Sequence, residues 1–315
     1  MKAVVYTAPL TLELLDVDRP IASDGDVLVK VTAVGICGSE LEGFANQSPF
    51  RKPPLIMGHE FAGIRVADGR AVVVNPLIAC GRCDLCRRGL PNVCRDRQII
   101  GIQRDGGFAE YVAVPAANCH LLDDAVPSST AALIEPLANS VHAMRLALRD
   151  APDVEHIGII GAGMLGIAMT LAAKAMTGAS VTITDLSRDR LAVAESAGAN
   201  RLVQSLVGEF DVVFDAVGTG QTRKVAVESI RPGGTAIFLG LHSDAPGFDG
   251  RDVIRNEKRV AGSFCYTDAD FSEAVPLSSA VRAEWLDERP LAEGVEAFEE
   301  LLDSVPTTIK TVLVP

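Results

Sequence analysis

The chain has 315 residues, about twice the length of an ordinary domain, so two domains are expected. Hydrophobic residues make up 48% and charged residues 22%, a balance that excludes disorder and fits a soluble globular protein. With 29 Lys and Arg against 41 Asp and Glu, a formal charge of −12 and only 5% aromatic residues, neither nucleic acid nor a membrane is expected as a partner.

The opening residues, MKAVVYTAPLTLELL, lack the basic, apolar and cleavage-site sequence of an export signal. Seven cysteines without such a signal point to a reducing, cytoplasmic compartment, where clustered thiols are more often metal ligands than disulfides. Up to about residue 125, short β-rich runs at 3–6, 26–34, 60–66, 71–75 and 108–114 are punctuated by Gly and Pro and read as a β-rich, Greek-key or barrel-like domain. Within it lies Cys80-Gly-Arg-Cys83-Asp-Leu-Cys86, followed by Cys94. Four thiolates so close together can surround one ion tetrahedrally with no open position, which describes a structural zinc. Arg82, Arg87, Arg88, Arg95 and Arg97 are available to offset its negative charge. A redox-active thiol group or an iron–sulfur site is the alternative for the same array.

After Pro127 the texture changes to helical periodicity over 129–147 and then to alternating strands and helices, so an α/β domain begins there. Residues 156–160 form a strand, 165–176 a helix closed by Gly178, and 180–184 a second strand, which together make a βαβ unit. The uncharged stretch 157–173 is too short to span a bilayer. Ser187 is placed to cap a helix reaching about residue 197, with Asp189 in its first turn and Gly198 beyond its end. Strands at 211–216 and 235–241 flank a helix that ends at Arg231-Pro232-Gly233-Gly234 and continue the parallel sheet. A strand at 260–266, a helix near 295–302 and a strand at 309–314 complete the chain.

Two dispersed patterns carry further chemistry. Gly35-Ile-Cys37-Gly-Ser39, Gly58-His59-Glu60 and Glu135-Pro136-Leu137 offer a thiolate, an imidazole and carboxylates from separate elements, the donor mix of a catalytic zinc with an open position. Gly161-Ala-Gly163-Met-Leu-Gly166 follows a strand and opens a helix, the context in which glycines admit a pyrophosphate at a helix N-terminus. Asp185, at the end of the next strand, can accept hydrogen bonds from the ribose hydroxyls and favours NAD, while Arg188 and Arg190 keep NADP as the alternative. Cys119, His120, His156, His242 and the methionines 164, 169 and 176 read as packing or loop residues, as does His142.

Together these motifs, in order over nearly the whole chain, resemble the zinc-dependent medium-chain dehydrogenase/reductase (alcohol dehydrogenase) family. Glu135 in Glu-Pro-Leu-Ala and the run Thr184-Asp-Leu-Ser-Arg-Asp-Arg190 resemble its sorbitol (polyol) dehydrogenase branch. The resemblance implies an α/β chain with a GroES-like catalytic domain, residues 1–137 and 266–315, whose zinc lobe is 80–94, and an inserted Rossmann NAD-binding domain, 138–265. It implies catalytic zinc at Cys37, His59 and Glu60, with Glu135 joining the metal or holding its water and Ser39 on the proton path. Asp185 and Arg190 would hold the adenosine half of NAD beside Gly161, Gly163 and Gly166, and Leu165 would lie against the cofactor. Leu239, Gly240, Leu241, Ser263, Phe264 and Cys265 would border the nicotinamide. The implied reaction moves hydride between a secondary alcohol, such as a polyol, and NAD, in a homodimer or homotetramer that acts on a small-molecule alcohol or ketone. An L-threonine-type dehydrogenase, an aldehyde/ketone reductase and a catalytically silent NAD-binding protein are the alternatives. The chain departs from the family pattern in carrying Glu42 where a proton-passing His is usual, Gly43 where polyol dehydrogenases have a Tyr, and Cys265 where an Arg grips the polyol. These replacements point away from long polyols.

Overall fold

A computed structural model describes residues 1–123, 125–242, 247–304 and 306–315. The chain divides into two compact units, Met1–Glu135 with Thr267–Pro315, and Pro136–Tyr266. None of the described helices is long and apolar enough to cross a membrane.

The first unit is built around strand Asp26–Gly35, which pairs antiparallel with Glu60–Arg65, Tyr111–Pro115 and Lys310–Val314. Val29, Val31 and Val34 are turned into a core shared with Tyr6, Phe61, Phe108 and Phe298, so the strand is held by apolar burial as well as by its ladders. At its carboxyl end the chain passes through Cys37 into helix Gly38–Ala45. In the register of the sheet Gly35 lies opposite Glu60 on one side and Val312 on the other. Residues far apart in sequence, Cys37, Glu60 and Lys310, are therefore delivered to one end of the same sheet. Phe108 stays outside the strand because its N–H and C=O are taken by Met57 and Val4, and that strand begins at Tyr111 rather than at residue 108.

The second unit carries a six-stranded parallel sheet among its described residues, in the order Arg201–Val203, Ser180–Thr184, His156–Ile160, Phe210–Asp215, Ile230–Phe238, Arg259–Gly262. Numbered along the chain this is 3-2-1-4-5-6, the doubly wound dinucleotide-binding order with its switch point between His156–Ile160 and Phe210–Asp215. Ile157, Ile159, Val181, Ile183, Val213 and Phe214 are fully buried, which is why these strands read as continuous apolar runs.

Three local differences from the sequence reading have physical reasons. The helical stretch 129–147 is two helices, Ser128–Ala132 and Ile134–Asp150, because Pro136 has no N–H to continue the first and is tolerated in the first turn of the second. Arg231–Gly234 belongs to strand Ile230–Phe238, which absorbs the turn residues through a register shift between Phe210 and Val212. The strand expected at 260–266 stops at Gly262. Beyond it Ser263 donates to the Phe238 carbonyl at 2.9 Å, and Cys265 takes a left-handed φ of 48° that ends strand geometry.

Candidate active site and zinc lobe

In the first unit the candidate ligand atoms of Cys37, His59 and Glu60 lie within 4.8 Å of one another. Behind them is Glu40, fully buried in the first turn of helix Gly38–Ala45. Its Oε1 accepts from the Gly58 N–H at 2.8 Å and lies 2.9 Å from His59 Nδ1, and its Oε2 accepts from the Cys37 N–H at 3.0 Å. Burial opposes the charge of Glu40, but His59, Arg51 and the Cys37 N–H outweigh it and hold the carboxyl below its ordinary value. Burial also opposes a charged His59, yet Glu40 and Cys37 hold the imidazole well above its ordinary value. When the ring is neutral, as a metal ligand must be, an ionised Glu40 keeps its proton on Nδ1 and leaves Nε2 with its lone pair, the usual outer-shell arrangement of a metal-binding histidine.

Glu60 is backed by Lys310, whose Nζ donates to Glu60 Oε1 at 2.9 Å and to the Ile36 carbonyl at 3.2 Å and lies 2.7 Å from Glu60 Oε2. Burial works against this ammonium, and Glu60, with Cys37 and Glu40, more than offsets it, so its pKa is raised. Glu60 Oε2 is buried and receives no hydrogen bond. That oxygen, whose polar contact is the Lys310 ammonium rather than a well-aligned hydrogen bond, stands next to a thiol and an imidazole and fits a divalent cation such as Zn2+. Ser39 donates to Cys37 Sγ at 3.4 Å and accepts from Arg51 Nη2 at 3.3 Å. Glu135, buried in the first turn of Ile134–Asp150, stands outside the group of three. Glu40 and Lys310 were not singled out as site residues from the sequence, and no local motif marks either.

The ligand atoms of Cys80, Cys83, Cys86 and Cys94 also gather within 4.8 Å. Sulfur separations of 3.5, 3.8 and 4.0 Å compare with the roughly 3.8 Å expected for sulfurs about 2.3 Å from a tetrahedral zinc. Cys83 caps the short helix Asp84–Arg87, and the Cys86 N–H directed at its sulfur brings its pKa down to about 6. Burial and the neighbouring thiols push Cys86 up to about 12. Arg95 pairs with Asp84, and Arg97 donates to the Cys94 carbonyl at 3.0 Å.

In the second unit Gly161, Gly163, Leu165 and Gly166 form the turn from strand His156–Ile160 into helix Met164–Met176. Gly161 has φ 95°, and a Cβ on Gly166 would lie 1.8 Å from the Gly161 carbonyl oxygen, so only glycine allows helix and turn to approach this closely. Gly163, the N-cap, offers no side-chain cap, and its open side is bordered by Arg190 Nη1, 3.9 Å from where a Cβ would stand. Asp185 accepts from the Ala162 N–H at 2.7 Å and the Ser187 N–H at 2.8 Å, which ties it to the glycine turn. Arg190 Nε is buried without a hydrogen-bond partner. An uncapped helix N-terminus, a carboxylate and an orphaned guanidinium nitrogen fit the anionic and ribosyl parts of a dinucleotide. Nearby, the Leu239 and Gly240 N–H groups both bond the Asp215 carbonyl, and Gly240 packs on Val217 and Gly218. Leu239, Gly240 and Leu241 follow strand Ile230–Phe238, and Ser263, Phe264 and Cys265 follow Arg259–Gly262, so both loops leave the carboxyl edge of the sheet.

Residues 23–124 match the alcohol dehydrogenase GroES-like domain, and residues 165–280 match the zinc-binding dehydrogenase domain. An L-galactonate-5-dehydrogenase from Escherichia coli is 33% identical over 295 residues, covering 87% of this chain and 86% of the relative. The chain belongs to the zinc-binding alcohol dehydrogenase family. Among solved structures, one described as a zinc-binding dehydrogenase from Sinorhizobium meliloti bound to NADP superposes with a TM-score of 0.91 at 27% identity, covering 100% of this chain and 99% of the other. Acetophenone reductase from Geotrichum candidum in complex with NAD gives a TM-score of 0.89 at 30% identity, covering 100% and 97%. This family member is accordingly an oxidoreductase acting on CH–OH donors, and zinc and a nicotinamide dinucleotide are the groups its donor sets fit.

Proposed function

We propose that the protein oxidises a secondary hydroxyl of a small polyhydroxylated compound with NAD, and reduces the matching ketone in the opposite direction. The observation that carries this reading is the set Cys37, His59 and Glu60 backed by Glu40 and Lys310, on a chain that also carries the glycine turn and Asp185. Cys37, His59 and Glu60 would hold Zn2+, with Glu135 as a further donor, and bound Zn2+ polarises the substrate oxygen and stabilises the charge that develops there. Glu40 keeps the His59 ring in one tautomer and orientation. Lys310 offsets the negative charge brought by Cys37 and Glu60. The Ser39 hydroxyl, held between Cys37 and Arg51, is the group placed to take the substrate proton. Gly163 and the helix behind it bind the pyrophosphate, Arg190 and Asp185 the adenosine half, and the Asp185 carboxylate repels a 2'-phosphate, which favours NAD over NADP. Seven free cysteines support a cytoplasmic setting, and the family likeness supports a homodimer or homotetramer.

The test is NADH formation by zinc-loaded protein with a panel of secondary alcohols, repeated with Cys37→Ser. Turnover is expected to fall by roughly a thousandfold, the several kcal/mol that Lewis-acid stabilisation supplies. Undiminished turnover in Cys37→Ser overturns the assignment.

A further inference from the structure

Arg51 is 7% exposed, and it forms no ion pair with a carboxylate among the described residues. Of its guanidinium hydrogens, one is directed to Ser39 Oγ at 3.3 Å, while the buried Nε has no partner. The nearby acid Glu40 is already committed to Gly58, His59 and Cys37 through both oxygens. Arg51 and Glu40 attract one another through space but share no hydrogen bond, and a buried arginine without a hydrogen-bonded carboxylate is rare, because a desolvated guanidinium is costly unless its donors are satisfied. Its position is specific: Ser39 joins it to Cys37 Sγ through two contacts, so the guanidinium lies beside the Cys37–His59–Glu60 set. Gly43 makes room for it, since a Cβ there would stand 2.4 Å from Arg51 Nη1. The intervening loop is fastened by the Ser48 N–H to the Gly43 carbonyl at 2.8 Å and the Arg51 N–H to the Ser48 carbonyl at 3.1 Å.

We propose that Arg51 binds a carboxylate on the substrate, so that the alcohol oxidised at the Cys37–His59–Glu60 centre is a hydroxy acid. This rests on reading that centre as the site of alcohol oxidation. A single guanidinium matches the one negative charge and the planar two-oxygen geometry of a carboxylate. A phosphate carries nearly twice the charge, and the next cation along the chain, Lys52, is exposed. The short path from Arg51 through Ser39 to Cys37 places the carboxylate within a few bonds of the reacting carbinol carbon.

The probes are six-carbon aldonates, the matching neutral alditols and the alditol phosphates, offered with NAD to zinc-loaded wild type, Arg51→Met and Arg51→Lys. Aldonates are expected to be preferred. In Arg51→Met the ratio of kcat/KM for aldonate over alditol should fall roughly 30- to 100-fold, mainly through KM, as expected for loss of a hydrogen-bonded charge pair; Arg51→Lys should recover part of it. A Tm shift produced by aldonate without NAD gives an independent reading, expected in wild type and lost in Arg51→Met. An unchanged ratio, or a preference for alditols with normal NADH formation, overturns the carboxylate anchor and leaves the dehydrogenase reading intact. Preference for alditol phosphates, lost in Arg51→Met, overturns the carboxylate in favour of phosphate. An aldonate-dependent Tm shift lost in Arg51→Met, without NADH from any probe, upholds the anchor and overturns the dehydrogenase reading. Neither shift nor turnover overturns both. If Arg51→Met does not fold, Gly43→Ala displaces the guanidinium while keeping its charge, and the same loss of aldonate preference is expected.

Discussion

Lys310 illustrates how a buried pair behaves when one member is removed. Its ammonium and the Glu60 carboxylate are 5% and 1% exposed, so Lys310→Met leaves a carboxylate desolvated and unpaired, a cost of about 3–5 kcal/mol. The denaturant midpoint of the metal-free variant should fall accordingly, and Lys310→Arg should recover part of the loss. Because the folded lysine titrates above its ordinary value, the pair contributes fully at neutral pH and is lost only as the pH rises through that raised value. Glu40 has the opposite sign: its lowered carboxyl stabilises the fold above the ordinary glutamate range, and the contribution disappears as the pH falls through the lowered value. Glu40→Gln removes the charge that orients His59, and metal affinity at Cys37, His59 and Glu60 should drop about 10- to 100-fold in a competition titration, with the four-cysteine lobe unaffected. Cys37, His59 and Glu60 were legible in the sequence because their residue types and order are distinctive. Glu40 and Lys310 were not, since a carboxylate on a helix and a lysine at a strand start acquire meaning only from neighbours 19 and 250 residues away.

Elements explain why some motifs read directly and others did not. The zinc lobe draws all its ligands from one loop between Cys80 and Cys94, so spacing alone describes it. Its apolar content is small and Arg82, Arg87 and Arg88 are exposed, so a bound ion would substitute for a core there. Stripping metal should open this loop, and limited trypsin digestion should then cut at Arg82, Arg87 or Arg88 before any other site. The glycine turn was equally legible, yet its glycines have separable duties. Gly166→Ala forces the helix off Gly161 and should lower both stability and NAD affinity, whereas Gly163→Ala meets only Arg190 at 3.9 Å. Gly163→Ala should keep the denaturant midpoint and weaken NAD binding, which calorimetry would separate. Strand Ile230–Phe238 was misjudged over residues 231–234, because Pro and Gly normally end regular structure and only the register shift beside Phe210 accommodates them.

At the scale of the whole molecule, two donor sets in one unit predict about two zinc ions per chain by elemental analysis and about one in Cys37→Ser. One ion in both would mean that only the four-cysteine lobe is loaded. The parallel sheet of the second unit was legible from alternating strands and helices, except for its three-residue edge strand Arg201–Val203, whereas the pairing order of the first unit's sheet was not, because its ladders join segments from both sides of that insertion. Strand Lys310–Val314 lies in that sheet between Asp26–Gly35 and Leu286–Pro290. During synthesis, Glu60 emerges 250 residues ahead of Lys310, an interval of roughly 10–50 s at ordinary rates of elongation. Throughout that time the first-made half of the sheet lacks strand Lys310–Val314 and Glu60 lacks the Lys310 ammonium, and before it ends the second unit, contiguous in sequence, is complete and free to fold. The order of birth is thus the reverse of the order of maturity: the part of the chain translated first is finished last, and the metal centre can close only after the nucleotide-binding unit has been made.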